Sequence, residues 1–148
     1  METAVGIEKK RNRIDSYVES RMKKQILILD DKVSIAKVIS VYLSNEYDIT
    51  HEYDITHFDT PVKGMKWLYD GNIPDLIILD IHMPEMRGDE FLRYIKKNGL
   101  FKDIPIIVLS GEESSDIRVR MLEEGADDYI LKPFNPMELK IRIRKVLK

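Results

Sequence analysis

The chain contains no cysteine, which excludes disulfides and thiolate metal sites. Its three histidines, His51, His57 and His82, are too scattered to suggest a zinc site. Glycine is sparse, with seven in the chain. None falls in a GxGxxG pattern or in the GxxxxGK pattern of a phosphate loop, so nucleotide binding of the usual kinds is not expected. No run of about 18 apolar residues occurs, which excludes a membrane-spanning helix of ordinary length. The N-terminal stretch METAVGIEKKRNR lacks the apolar core of a signal peptide, so a cytoplasmic protein without membrane insertion is expected. An excess of one charge is missing too, the formal net charge being -2. That charge is unevenly spread. Residues 1–24 carry seven Lys/Arg against four Asp/Glu, so the remainder is mildly acidic. A basic tail on an acidic body is not a nucleic-acid footprint, and no direct nucleic-acid contact is expected.

What is present suits one globular domain. The length of 148 residues and an apolar fraction of 43% allow a single ordinary core. Residues 1–24 read as a polar, partly helical leader in which Ile14, Val18 and Met22 form a thin apolar stripe. The domain proper occupies 25–148.

Its organising stretch is Leu76 to Gly88, LIILDIHMPEMRG. The run Leu76–Leu79 is too short for a helix and continuously apolar, as a strand buried on both faces of a parallel sheet should be. Asp80 follows at the C-terminal edge, where open α/β sheets bind ligands. Pro84 and Gly88 punctuate the loop beyond it. Gln25–Leu29 repeats the pattern, ending in Asp30 and Asp31. Residues 105–109 and 127–131 read as two more such strands, delivering Ser110-Gly111 and Lys132-Pro133-Phe134. Helices are expected over 32–45, 61–70, 89–97, 112–124 and 136–148. Thr60 and Asn135 stand as N-caps, each before a proline at the first helical position.

The hexapeptide EYDITH occurs twice in tandem, at 46–51 and 52–57. An even insert preserves which face each strand residue takes. The second copy is expected to hold the strand and the first to extend it or bulge. Five strand–helix alternations predict an α/β fold, a doubly wound five-stranded parallel sheet in three layers with helices on both faces.

The C-terminal strand edges then share one rim carrying Asp30, Asp31, Asp80, Ser110 and Lys132. Three neighbouring carboxylates repel one another and want a cation. An all-oxygen donor set selects a hard ion, Mg²⁺ above others. A lysine and a hydroxyl opposite suit a phosphoryl group. The set fits phosphoryl transfer to a carboxylate, with Asp80 as nucleophile.

The segments ILILDD, LIILDIHMPEMRG, PIIVLSG and GADDYILKPF, in this order and spacing, resemble the response-regulator receiver domains of two-component signalling over residues 25–148. That resemblance implies a flavodoxin-like sheet of order 2-1-3-4-5. It implies Asp80 as phosphoacceptor, Asp31 as a direct Mg²⁺ ligand and Asp30 acting nearby or through water. The backbone carbonyl of His82 becomes a further ligand. Ser110 and Tyr129 become the switch pair, and Lys132 the phosphoryl-binding lysine, followed by a cis bond to Pro133. Gly111 leaves room for the phosphoryl group. The implied partners are a histidine kinase or phosphotransfer protein and a downstream target. The target, or a second copy in a homodimer, would bind residues 112–148. The chain ends with its fifth helix, so no output domain is expected in it. Lys32 departs from the family, which often has an acid there.

Two other classes compete. A phosphorylation-independent interaction module of the same fold would not need Asp31, Asp80, Ser110 and Lys132 intact. A hydrolase with an aspartyl-phosphate intermediate often places an Asp two residues past its nucleophile, where this chain has His82. The favoured reading is a signalling protein and not an enzyme beyond slow self-phosphorylation and dephosphorylation.

Overall fold

Leu76–Leu79 is strand β3, with every residue buried. A four-residue apolar segment can be buried on both sides only at the centre of a covered sheet, and β3 lies there. In the computed structural model, which describes residues 23–44 and 53–148, β1 (Lys24–Leu29) is followed by α1 (Val33–Leu43), β2 (Tyr53–Phe58) and α2 (Pro61–Tyr69). After β3 come α3 (Gly88–Lys97), β4 (Ile106–Ser110), α4 (Ser115–Glu123), β5 (Asp128–Leu131) and α5 (Pro136–Val146). The five strands form one sheet in the order β2-β1-β3-β4-β5, and every pairing is parallel. The predicted fold class and strand order are both met. The second EYDITH copy forms β2, as expected; the first lies outside the described residues, as does almost all of the leader.

Strand alternation divides the core in two. Leu27, Leu29, Ile77, Leu79, Ile106 and Val108 point to the side covered by α2, α3 and α4. Ile26, Ile28, Leu76, Ile78, Ile107 and Leu109 point to the side covered by α1 and α5. Each such side chain contributes roughly 1.5–3 kcal/mol by leaving water, so these two layers dominate the stability.

The helix ends follow local chemistry. Thr60 Oγ1 accepts from the Lys63 N–H, with Pro61 next to it at the first helical position. Asn135 Oδ1 accepts from Met137 and Glu138, with Pro136 placed likewise. Both predicted caps are observed. At the N-terminal sheet edge, Asp75 and Asp127 stitch neighbouring strands by accepting from the Gln25 and Ile106 amides, each at 2.8 Å.

The fourth helix departs from expectation. It begins at Ser115, not Glu112, because Glu112 is held outside the helix by contacts described below. Of its apolar residues only Met121 is buried, while Val119 and Leu122 face solvent. α1 also buries only a narrow stripe: Ala36, Ile39 and Leu43 face inward, and Val33, Val38 and Tyr42 are exposed.

Candidate functional site

The ladder hydrogen bonds run one residue past the strands and thereby fix the rim. The Asp80 N–H donates to Leu29 O at 2.9 Å, the Asp30 N–H to Phe58 O at 3.2 Å, and the Lys132 N–H to Ser110 O at 2.8 Å. Asp30, Asp80 and Lys132 are therefore each placed by the backbone of a neighbouring strand. Asp30, Asp31 and Asp80 each offer an oxygen within 4.8 Å of the others. Asp30 and Asp80 are buried, at 2% and 5% exposure, while Asp31 faces solvent.

Lys132 reaches into this cluster. Its Nζ lies 2.7 Å from Asp30 Oδ2 and 3.5 Å from Asp80 Oδ2. The lysine is thus held by Asp30 and hovers at Asp80, a partner it can approach with little movement. The Lys132–Pro133 bond is cis, as expected. Burial pushes the Asp80 carboxyl above the usual carboxylate range. Lys132 opposes that push and the Asp30 charge adds to it.

The loop after Asp80 is tightly built. The His82 N–H faces Asp80 Oδ1 at 3.4 Å, and the Gly88 N–H donates to Ile81 O at 2.8 Å. A Cβ at position 88 would lie 2.0 Å from the Asp80 carbonyl oxygen, so only glycine closes this loop. Glu85 sits at φ 71°, in the left-handed region that costs a side-chain-bearing residue energy. A Cβ at Gly111 would meet nothing within 4 Å, so the space at that position is open.

Ser110 and Tyr129 meet through a residue that the sequence did not single out. The Glu112 N–H donates to Ser110 Oγ at 3.2 Å, and the Tyr129 hydroxyl donates to the Glu112 carbonyl at 2.8 Å. The Glu112 carboxylate pairs with His82 Nε2. One residue therefore joins the hydroxyl, the aromatic ring and the loop beside Asp80. Tyr129 is turned inward and buried, whereas the His82 side chain is largely in solvent. His57 was also missed as a site residue. Its Nε2 lies 2.7 Å from the Asp30 carbonyl oxygen. Both residues act through main-chain groups, for which side-chain type in the sequence is a poor guide.

The cluster fits a hard divalent cation. Its donors are carboxylates converging on one point, two of them desolvated, with one exposed acid open to solvent. Asp30, Asp31 and Asp80 would hold the ion.

A five-stranded parallel sheet with such a rim defines a class of protein, and sequence comparison agrees with it. The chain belongs to the response regulator receiver domain family, whose model matches residues 26–144. It is 34% identical over 127 residues to the phosphate regulon transcriptional regulatory protein PhoB of Escherichia coli. That match covers 86% of this chain and 53% of the relative, so the chain spans about half the length of that protein. The signal receiver domain of a LuxO repressor protein from Vibrio parahaemolyticus superposes with a TM-score of 0.75 at 29% identity, covering 84% of this chain and 90% of that one. The Mn²⁺-bound form of the response regulator Rcp1 superposes with a TM-score of 0.67 at 27% identity, covering 84% and 89%. Among the described residues, no helix is long and apolar enough to cross a membrane.

Proposed function

We propose that Asp80 accepts a phosphoryl group from a histidine kinase or a phosphotransfer protein. The observation that carries this reading is the convergence of Asp30, Asp31, Asp80 and Lys132 at one rim, with Asp80 buried just past the end of β3. An Asp80 carboxylate oxygen attacks phosphorus. The bond from phosphorus to the donor's imidazole nitrogen breaks, and the electron pair returns to the imidazole. Asp30, Asp31, Asp80 and the His82 carbonyl would hold Mg²⁺, which would supply charge neutralisation on the transferring oxygens. The Mn²⁺-bound form of the structurally similar regulator Rcp1 supports a divalent cation in a fold of this kind.

The chain's own residues do the remainder. Lys132 moves from between Asp30 and Asp80 onto a phosphoryl oxygen as a point charge. Ser110 turns its hydroxyl toward the same group and gives up the Glu112 amide. Glu112 carries that movement to Tyr129 through its carbonyl and to His82 through its carboxylate. The α4–β5–α5 face then changes its preferred state, as a two-state element biased by a new charge does. A downstream target or a second copy of the chain reads that face.

Incubation with Mg²⁺ and acetyl phosphate, followed by intact mass, tests the reading. Wild type should gain one phosphoryl group and Asp80→Ala none. No adduct on wild type, or an undiminished adduct in the variant, sinks it.

A further inference from the structure

The tandem EYDITH repeat places a histidine against the acidic loop. In β2, Tyr53 and Ile55 pack on the α1 side of the sheet, and strand alternation puts His57 on that side too. β1 and β2 pair up to Leu29 and Phe58. The carbonyl of Asp30 lies just past that ladder, and the His57 imidazole takes it at 2.7 Å. A carbonyl only accepts, so Nε2 carries the proton in this contact.

Asp30 is thereby held at every polar atom. Its N–H donates to Phe58 O, and its carbonyl accepts from His57. Its Oδ1 accepts from the Lys32 N–H at 2.9 Å, and its Oδ2 from Lys132 Nζ. The His57 contact has a consequence that the other three lack. The Asp30 carbonyl shares a planar peptide unit with the Asp31 nitrogen and Cα. Fixing that oxygen fixes the direction in which Asp31, the exposed acid of the cluster, leaves the sheet.

We propose that His57 is a positioning residue for the metal site, orienting Asp31 toward Asp80 by donating Nε2–H to the Asp30 carbonyl. The inference rests on the reading of the acidic cluster as a Mg²⁺ site and assigns the second repeat copy a role in it. Removal of partners that orient metal ligands typically weakens metal binding by about 10- to 100-fold.

The test compares His57→Gln, His57→Asn and His57→Leu with wild type. Glutamine can place an amide donor near the imidazole Nε2; asparagine is too short, and leucine has none. Calorimetric Mg²⁺ titration should show His57→Gln within a few-fold of wild type and the other two weaker by about tenfold or more. Amide hydrogen exchange on the metal-free proteins should show Asp30 and Lys32 losing protection in the Asn and Leu variants and keeping it in the Gln variant. A general loss of β2 packing would affect the three by side-chain size and would not be rescued by glutamine. Wild-type Mg²⁺ affinity in the Asn and Leu variants, or equal weakening in all three, overturns the assignment. If wild type takes up no Mg²⁺, the metal-site reading fails by itself, and unchanged exchange at Asp30 and Lys32 then refutes the orienting contact.

Discussion

Asp80 is destabilising in the charged form that phosphoryl transfer needs. Burial is the main cause, the Asp30 charge adds to it, and Lys132 offsets part of it. Its folded-state pKa therefore lies above the ordinary value of 3.8. Below the unfolded pKa the carboxyl is protonated in both states and carries no penalty. As pH rises through the folded value, the native state must give up a proton it holds more tightly, and stability falls. Asp80→Asn should accordingly raise the melting temperature of the metal-free protein at pH 7, and the gain should vanish near pH 3. Thermal unfolding across that range checks it; equal melting temperatures at pH 7 would refute the penalty. Lys132 retains Asp30 in this variant, so no buried cation is orphaned. At this scale the sequence was informative wherever chemistry sits at a strand end. Asp30, Asp80, Ser110 and Lys132 were legible because a buried strand has few ways to present a polar residue. Glu112 and His57 were not, because a main-chain carbonyl has no letter in the sequence.

Helix α4 belongs to the face that the proposed switch would move. Its inner face is thin, with Met121 the one buried residue, so polar contacts do much of the anchoring. Asp89, in the first turn of α3, gathers them. Arg87 Nε lies 3.0 Å from its Oδ1, and Arg93 and Arg120 each lie 3.6 Å from its Oδ2. Arg93 also bonds Glu124 just past the C-terminus of α4. Arg87 belongs to the loop that follows Asp80, so this carboxylate ties α4 to that loop. Burial raises the Asp89 pKa, but Arg87 and Arg93, with a backbone hydrogen bond, more than reverse it and hold the carboxyl below the ordinary range. A depressed pKa means stability that is present above the unfolded pKa and lost as pH falls through the folded one. Asp89→Asn should cost about 1 kcal/mol at neutral pH, a modest figure because the arginines are partly solvated and screened. Urea unfolding measures the loss, and amide exchange should accelerate in α4 more than in α5. Equal protection of α4 in both proteins would show that the cluster does not anchor it. The elements themselves were legible from apolar runs and capping signals. The start of α4 was not, because Ser110 and Tyr129 from two other strands hold Glu112 out of the helix.

At the scale of the whole molecule, the face made by α4, β5 and α5, which the proposed switch would move, carries exposed apolar residues among those described. Val119, Leu122, Leu131 and Ile141 are 52%, 40%, 42% and 51% exposed. Charges of both signs surround them. Arg142 bonds Asp128 and Glu138 at 2.8 Å each, while Arg118 lies nearby along the groove toward Phe134. Such a patch suits a two-fold contact, in which one copy's cations meet the other's acids and apolar residues meet their equivalents. These charge pairs already close within the chain, so dimer formation requires some to be exchanged, and a shift of α4 can favour that exchange. Phosphorylated protein should therefore elute as a dimer where unphosphorylated protein is a monomer, measured by light scattering after acetyl phosphate and Mg²⁺ treatment. Val119→Glu should remain monomeric while gaining the same phosphoryl mass as wild type, because Val119 is exposed on α4 and takes no part in the rim hydrogen bonds and ion pairs described above. A buried charge without a partner at the centre of a contact costs enough to shift such an equilibrium by about tenfold or more. If fully phosphorylated wild type stays monomeric, a second copy is not the reader of this face. If Val119→Glu also loses its phosphoryl uptake, the face and the acceptor are coupled more tightly than the Glu112 linkage alone implies.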